Sequence, residues 1–158
     1  MRRLNATDAF CLYYDTLLNE YGHSMRIILL DTSGCPPGQA YQHVREGLAR
    51  IISQLALFSW IQVRTPLGLH HPVWVADPDY NMDDHFYRVA CPPPGSEREL
   101  ATLLATIASK PLDMSRPLWE SWIVEGLDSG HIAVIAKVHH ALADGVAIAQ
   151  MFQALCTT

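Results

Sequence analysis

The stretch Ile132-Ala133-Val134-Ile135-Ala136-Lys137-Val138, continued by His139-His140-Ala141-Leu142-Ala143-Asp144-Gly145, decides how this chain is read. Its continuous apolar character over Ile132 to Ala136 predicts a central strand covered on both faces, because a strand open to water on one side would alternate with polar residues. Strand alternation puts Ile132, Val134, Ala136, Val138 and His140 on one face and His139 on the other, so only one of the pair need face a substrate. A histidine held where a strand meets a helix can take a proton from a bound alcohol. Two adjacent histidines and an aspartate, taken alone, leave a metal site or a hydrogen-bonded core histidine equally open.

Outward from that run, elements alternate. Upstream, Trp119 to Glu125 reads as a strand, separated from His131 to His139 by the turn-forming Asp128-Ser129-Gly130. A helix is expected from Ser96 as N-cap, with Glu99 at the capping-box position and Leu100, Leu103, Leu104 and Ile107 as its buried stripe. Val44, Leu48, Ile51, Ile52 and Leu55 make the apolar stripe of another helix. Trp60 to Arg64 and Val73 to Ala76 read as a hairpin-like strand pair, Tyr87 to Ala90 and Ile27 to Asp31 as further strands, and Ala6 to Glu20 as a helix capped by Asn5 or Thr7. Downstream, Gly145 to Leu155 is expected to be helical, with Met151 to Leu155 ending in mid-helix and leaving an exposed apolar surface. Strands alternating with helices predict an α/β two-layer sandwich with a mixed sheet, spanning 1–158 without a linker or repeat.

Composition narrows the classes. The chain has 158 residues, 49% hydrophobic and 17% charged, which is ordinary for a globular domain with its own core. A formal charge of -5, from 11 basic and 16 acidic residues without a basic stripe, argues against nucleic-acid binding. Polar residues follow Met1-Arg2-Arg3 where a signal peptide would be apolar, and no stretch approaches the roughly 20 apolar residues of a membrane span. The chain reads as cytoplasmic. Cys11, Cys35, Cys91 and Cys156 lack paired spacing, so each is expected to be a small buried residue, and neither zinc nor a disulfide framework is indicated.

The spacing His139-His140-x-x-x-Asp144-Gly145 resembles the signature of the CoA-dependent acyltransferase superfamily, and Pro111-Leu112-Asp113-Met114-Ser115-Arg116-Pro117-Leu118-Trp119 resembles a block of the bacterial wax ester synthase/diacylglycerol acyltransferases. Leu4-Asn5-Ala6-Thr7-Asp8-Ala9-Phe10 is similar to that family's opening, with Asn5 where Ser is usual. The resemblance implies the N-terminal lobe of a two-lobed enzyme, truncated after its signature. Its active site would lie in a tunnel completed by a missing C-terminal lobe or by self-association. It also implies acyl-CoA as cosubstrate and no bound cofactor or metal. Diacylglycerol or a long-chain alcohol would be the acceptor, with peripheral contact to the plasma membrane or lipid droplets.

For the site, the family pattern assigns the base to the second histidine, His140. A neutral imidazole with a pKa near 6.5 can take the hydroxyl proton and return it to the leaving thiolate. His139 is read as a structural donor and acceptor, Asp144 as a structural ion-pair partner rather than a triad acid, and Gly145 as the residue that lets the chain bend. Arg116, Pro117, Leu118 and Trp119 are expected to be structural or to line the channel, with Arg116 in an ion pair with Asp113 or stacked on Trp119. His70-His71 is read as a solvated loop pair and Asp83-Asp84-His85 as a structural segment. The alternative function is a catalytically silent lobe that binds lipid or a partner; a hydrolase using His139, His140 and Asp144 on a metal is the third reading.

Overall fold

A computed structural model describes residues 2–18 and 21–142 of the chain. Asp144, Gly145, Cys156 and the helix expected over Gly145 to Leu155 lie outside the described residues.

In chain order the elements are β1 (Arg2–Arg3), α1 (Ala6–Leu18), β2 (His23–Leu30), α2 (Ala40–Ile52), β3 (Trp60–Val63), β4 (Val73–Ala76), β5 (Phe86–Ala90), α3 (Glu97–Ala108), β6 (Trp119–Glu125) and β7 (Ile132–His139). Four strands form a mixed sheet in the order β2-β7-β6-β5. β7 is antiparallel to both its neighbours, and β5 runs parallel to β6. A second, three-stranded sheet in the order β1-β4-β3 is antiparallel throughout. The class and the mixed sheet are as expected. Helices, however, pack on both faces of the four-stranded sheet, as the unbroken apolar run of β7 requires.

Every residue of β7 is buried. Ile132, Val134, Ala136 and Val138 join a core with Ala9 and Leu12 of α1 and Val44, Leu48 and Ile52 of α2. Ala133 and Ile135 face the other way, into a smaller core with Leu100 and Ile107 of α3 and Val124 of β6. Each fully buried Val, Leu or Ile contributes roughly 1.5–3 kcal/mol from the water it no longer orders.

Local signals account for the starts of α1 and α3. Ser96 and Glu99 form the expected capping box, the Ser96 backbone N–H donating to Glu99 Oε2 at 3.1 Å. At α1 it is Asn5 that caps, its Oδ1 accepting from the Asp8 N–H at 2.7 Å. α2 stops at Ile52, so Leu55, expected to extend the stripe, falls past the helix end and is exposed.

Candidate active site

β7 ends at His139, and a turn carries the chain on through His140, Ala141 and Leu142. The four successive amides here all have partners. His139 N–H donates to Leu118 O at 3.0 Å, His140 N–H to Gly22 O at 2.8 Å, Ala141 N–H to His139 Nδ1 at 3.0 Å, and Leu142 N–H to His139 O at 3.0 Å. The residue before β6, the residue before β2 and the ring of His139 thus hold one short segment from three sides. A backbone pinned this way presents the side chain between its anchors in a fixed place.

That side chain is His140, which is exposed and lines a cavity of about 490 Å3. Leu55, Leu57, Phe58, Trp74 and Leu142 supply apolar wall, and Arg2, Asn5, Asp8 and Gln54 add polar groups. The proportions are those of a small-molecule site, mostly apolar with a few polar groups to orient a ligand.

His139 lies on the opposite side and is only 1% exposed. Because its Nδ1 accepts from Ala141 N–H, the neutral ring carries its proton on Nε2, which donates to Asp15 Oδ2 at 3.1 Å. Burial pushes the His139 pKa down, and the Asp15 carboxylate only partly offsets it. The ring is therefore neutral at neutral pH.

The Pro117-Leu118-Trp119 block sits directly behind this turn. Leu118, fully buried, contributes the carbonyl that receives His139 N–H. Trp119, 2% exposed, donates its indole N–H to Phe58 O at 2.7 Å and so holds one wall of the cavity. The His85 ring stacks on Trp119 at 4.5 Å and its Nδ1–H donates to Trp119 O at 2.8 Å. Arg116 pairs with Asp84 at 3.3 Å and with Asp113 at 3.8 Å, which is the ion-pair alternative. None of Arg116, Pro117, Leu118 and Trp119 lines the cavity; Leu118 and Trp119 brace it from outside, while Arg116 and Pro117 line a separate pocket with Asp84 and His85.

Two functional neighbours escape a reading of the sequence. Asp15 and Gly22 meet the turn across more than a hundred residues, and nothing local marks them. Lys137 does carry a signal, being the one charged residue inside the apolar run; it is fully buried, donating from Nζ to Ile107 O at 3.1 Å and to Lys110 O. His71 of the exposed pair meets the Tyr13 hydroxyl at 3.4 Å. Among the described residues no three His, Cys, Asp or Glu side chains cluster as metal ligands. Cys11, Cys35 and Cys91 are free, with Cys91 buried and the other two partly so. No helix among the described residues is long and apolar enough to cross a membrane.

The chain is similar to several known proteins. A Mycobacterium tuberculosis protein named as a diacylglycerol O-acyltransferase is 44% identical over 154 residues, which cover 98% of this chain and 32% of that protein. Another from the same organism is 42% identical over 158 residues, 99% of this chain and 31% of that protein. The chain thus spans about a third of the length of these relatives. Among solved structures, the wax ester synthase/diacylglycerol acyltransferase from Marinobacter aquaeolei VT8 superposes with a TM-score of 0.79 at 29% identity, over 97% of this chain and 36% of that one. The starter condensation domain of rhizomide synthetase, solved as a mutant with C8-CoA, gives a TM-score of 0.76 at 9% identity, over 98% of this chain and 34% of that one, a likeness of fold alone. With the wax ester synthase/diacylglycerol acyltransferase catalytic domain matching residues 4–158, the chain belongs to that family.

Proposed function

We propose that this chain is the N-terminal lobe of an acyl-CoA-dependent O-acyltransferase, moving a fatty acyl group from acyl-CoA to diacylglycerol or to a long-chain alcohol, with His140 as general base. The observation that carries the reading is an exposed imidazole at the wall of a largely apolar cavity, on a turn whose amides are all bonded. His140 accepts the hydroxyl proton as the acceptor oxygen forms its bond to the thioester carbonyl carbon. Collapse of the tetrahedral adduct breaks the C–S bond, and the imidazolium returns the proton to the departing thiolate, releasing CoA. Protons and electrons balance without a metal or a redox partner. The apolar walls suit an alkyl chain, and membership of the wax ester synthase/diacylglycerol acyltransferase family supports a thioester of coenzyme A as donor.

The rest of the site is read as support. A second lobe or a second copy completes the substrate channel. Leu67 and Leu69, 93% and 71% exposed at the tip between β3 and β4, suit peripheral contact with a lipid surface on the cytoplasmic side. A second reading, a lobe that binds lipid or a partner without turnover, draws on the same apolar cavity wall.

Release of free thiol from palmitoyl-CoA, with diacylglycerol or hexadecanol as acceptor, tests the proposal with and without a separately supplied second lobe. Acceptor-dependent release that disappears in His140→Ala is expected. Release undiminished in that variant removes His140 as base, and no release under either condition from folded protein leaves the binding lobe as the reading.

A further inference from the structure

We propose that Asp15 is a positioning residue for the transfer reaction: its carboxylate selects the ring tautomer of His139 and thereby fixes the turn that presents His140. The inference rests on the acyl-transfer reading for its consequence, although its geometry does not. One carboxylate, partly shielded at the end of α1, accepts two N–H groups. Oδ1 takes the backbone N–H of Gly22 at 2.6 Å, and Oδ2 takes His139 Nε2–H at 3.1 Å. Gly22 returns the link, its carbonyl accepting His140 N–H at 2.8 Å. The ring completes the loop through Nδ1, which accepts Ala141 N–H at 3.0 Å. Asp15 therefore reaches the base's backbone by two routes, one through Gly22 and one through His139.

Tautomer chemistry makes the carboxylate necessary. A neutral imidazole has one donor and one acceptor, so placing the proton on Nε2 is what frees Nδ1 to receive Ala141 N–H. Moving the proton to Nδ1 would set two N–H donors against each other at Ala141 and turn a lone pair toward the Asp15 carboxylate. Only a group accepting at both positions holds the arrangement. A carboxamide has one accepting oxygen and one donating NH2, so Asn at this position must oppose either Gly22 N–H or His139 Nε2–H. Gly22 belongs to the same device: a Cβ there would lie 2.5 Å from Asp15 Oδ1, 3.2 Å from His139 Nε2 and 3.3 Å from Cys11 O. Any side chain at that position pushes the carboxylate off the ring.

The test reads the ring directly, in the full chain labelled with 15N. Long-range proton–nitrogen correlation is expected to report the Nε2–H tautomer of His139 in the wild type. In Asp15→Asn it should report loss of that tautomer, with faster amide exchange at His140 and Ala141. Gly22→Ala approaches the same contact from the other side, should reproduce the change, and is read in its place if Asp15→Asn does not fold. In acyl transfer, kcat is expected to fall roughly 10²-fold, the scale of a misplaced catalytic group, with KM little changed because the cavity walls are untouched. Folded Asp15→Asn that keeps the Nε2–H tautomer and wild-type protection overturns the proposal, as does a raised KM at unchanged kcat. If the tautomer shifts as stated but wild-type protein transfers no acyl group, the reaction assignment fails while the hold of Asp15 on the turn stands.

Discussion

Lys137 and His139 lie two residues apart on one face of β7, each all but excluded from water and each beside a carboxylate, yet their surroundings ask different things of them. Lys137 faces the C-terminal end of α3. Its ammonium donates to the carbonyls of Ile107, which also accepts the Lys110 N–H, and of Lys110, just past the helix, while Glu120 stands 3.7 Å away on β6. Burial lowers its pKa from the usual lysine range, and Glu120 acts against that. His139 meets a side chain near the end of α1 rather than helix carbonyls. It joins a carboxylate on one side to a turn amide on the other, and that turn carries an exposed histidine into a cavity. The same strand face thus anchors a helix at one position and sets an exposed imidazole at a cavity wall from the other. The difference comes from donor count: lysine has only donors, suiting carbonyls, whereas neutral imidazole both gives and takes.

If that division holds, damage at the turn should appear in turnover and damage under α3 in stability. The largest effect is expected at His140→Ala, which should lower acyl transfer by roughly 10²- to 10⁴-fold, the usual contribution of a general base, with the thermal midpoint unchanged. Lys137→Ala comes next. It takes a buried donor from the Ile107 and Lys110 carbonyls and the ammonium from beside the partly shielded Glu120, and should cost about 2 kcal/mol in urea unfolding while turnover per folded molecule stays near wild type. Loss of turnover in fully folded Lys137→Ala would break the comparison.

A pH series sharpens it. His139, His85 and His23 all have pKa values lowered, in each case chiefly by burial. The unfolded chain then binds protons at a higher pH than the folded one. Their stabilising contribution is complete above the unfolded histidine value of about 6.5 and is lost as pH falls through and below it. The thermal midpoint should therefore drop steadily from pH 7 to pH 5, and a flat profile would mean that these rings are not held neutral. The smallest effect belongs to neither region. Leu67→Ser with Leu69→Ser should move stability by no more than about 0.5 kcal/mol, yet reduce sedimentation with phospholipid vesicles.

Legibility in the sequence followed the range of the cause. The capping box of α3, the apolar stripe of α2 up to Ile52 and the burial of β7 were all readable, because each rests on residues a few positions apart. β1 was not, since Arg2 and Arg3 have no apolar pattern and become a strand only by pairing with Trp74 and Val73. β2 begins at His23, four residues before its apolar run, because its first residues pair with the end of β7. Of the candidate site, His139 and His140 were legible from their spacing, and the supporting block around Trp119 from its motif. Asp15 could not be, as an acidic residue near a helix end usually faces water.

By itself the sequence determined the family, the alternation of strands and helices, and which strand would be central, since hydrophobic periodicity and short motifs are local properties of the chain. Tertiary structure alone decided that one histidine points into a cavity while its neighbour is locked between Asp15 and Ala141. It also decided that the Leu118 carbonyl and the Trp119 indole brace that turn and the cavity wall. A histidine's role depends on which donors and acceptors surround its two nitrogens, and folding brings those partners from distant parts of the chain.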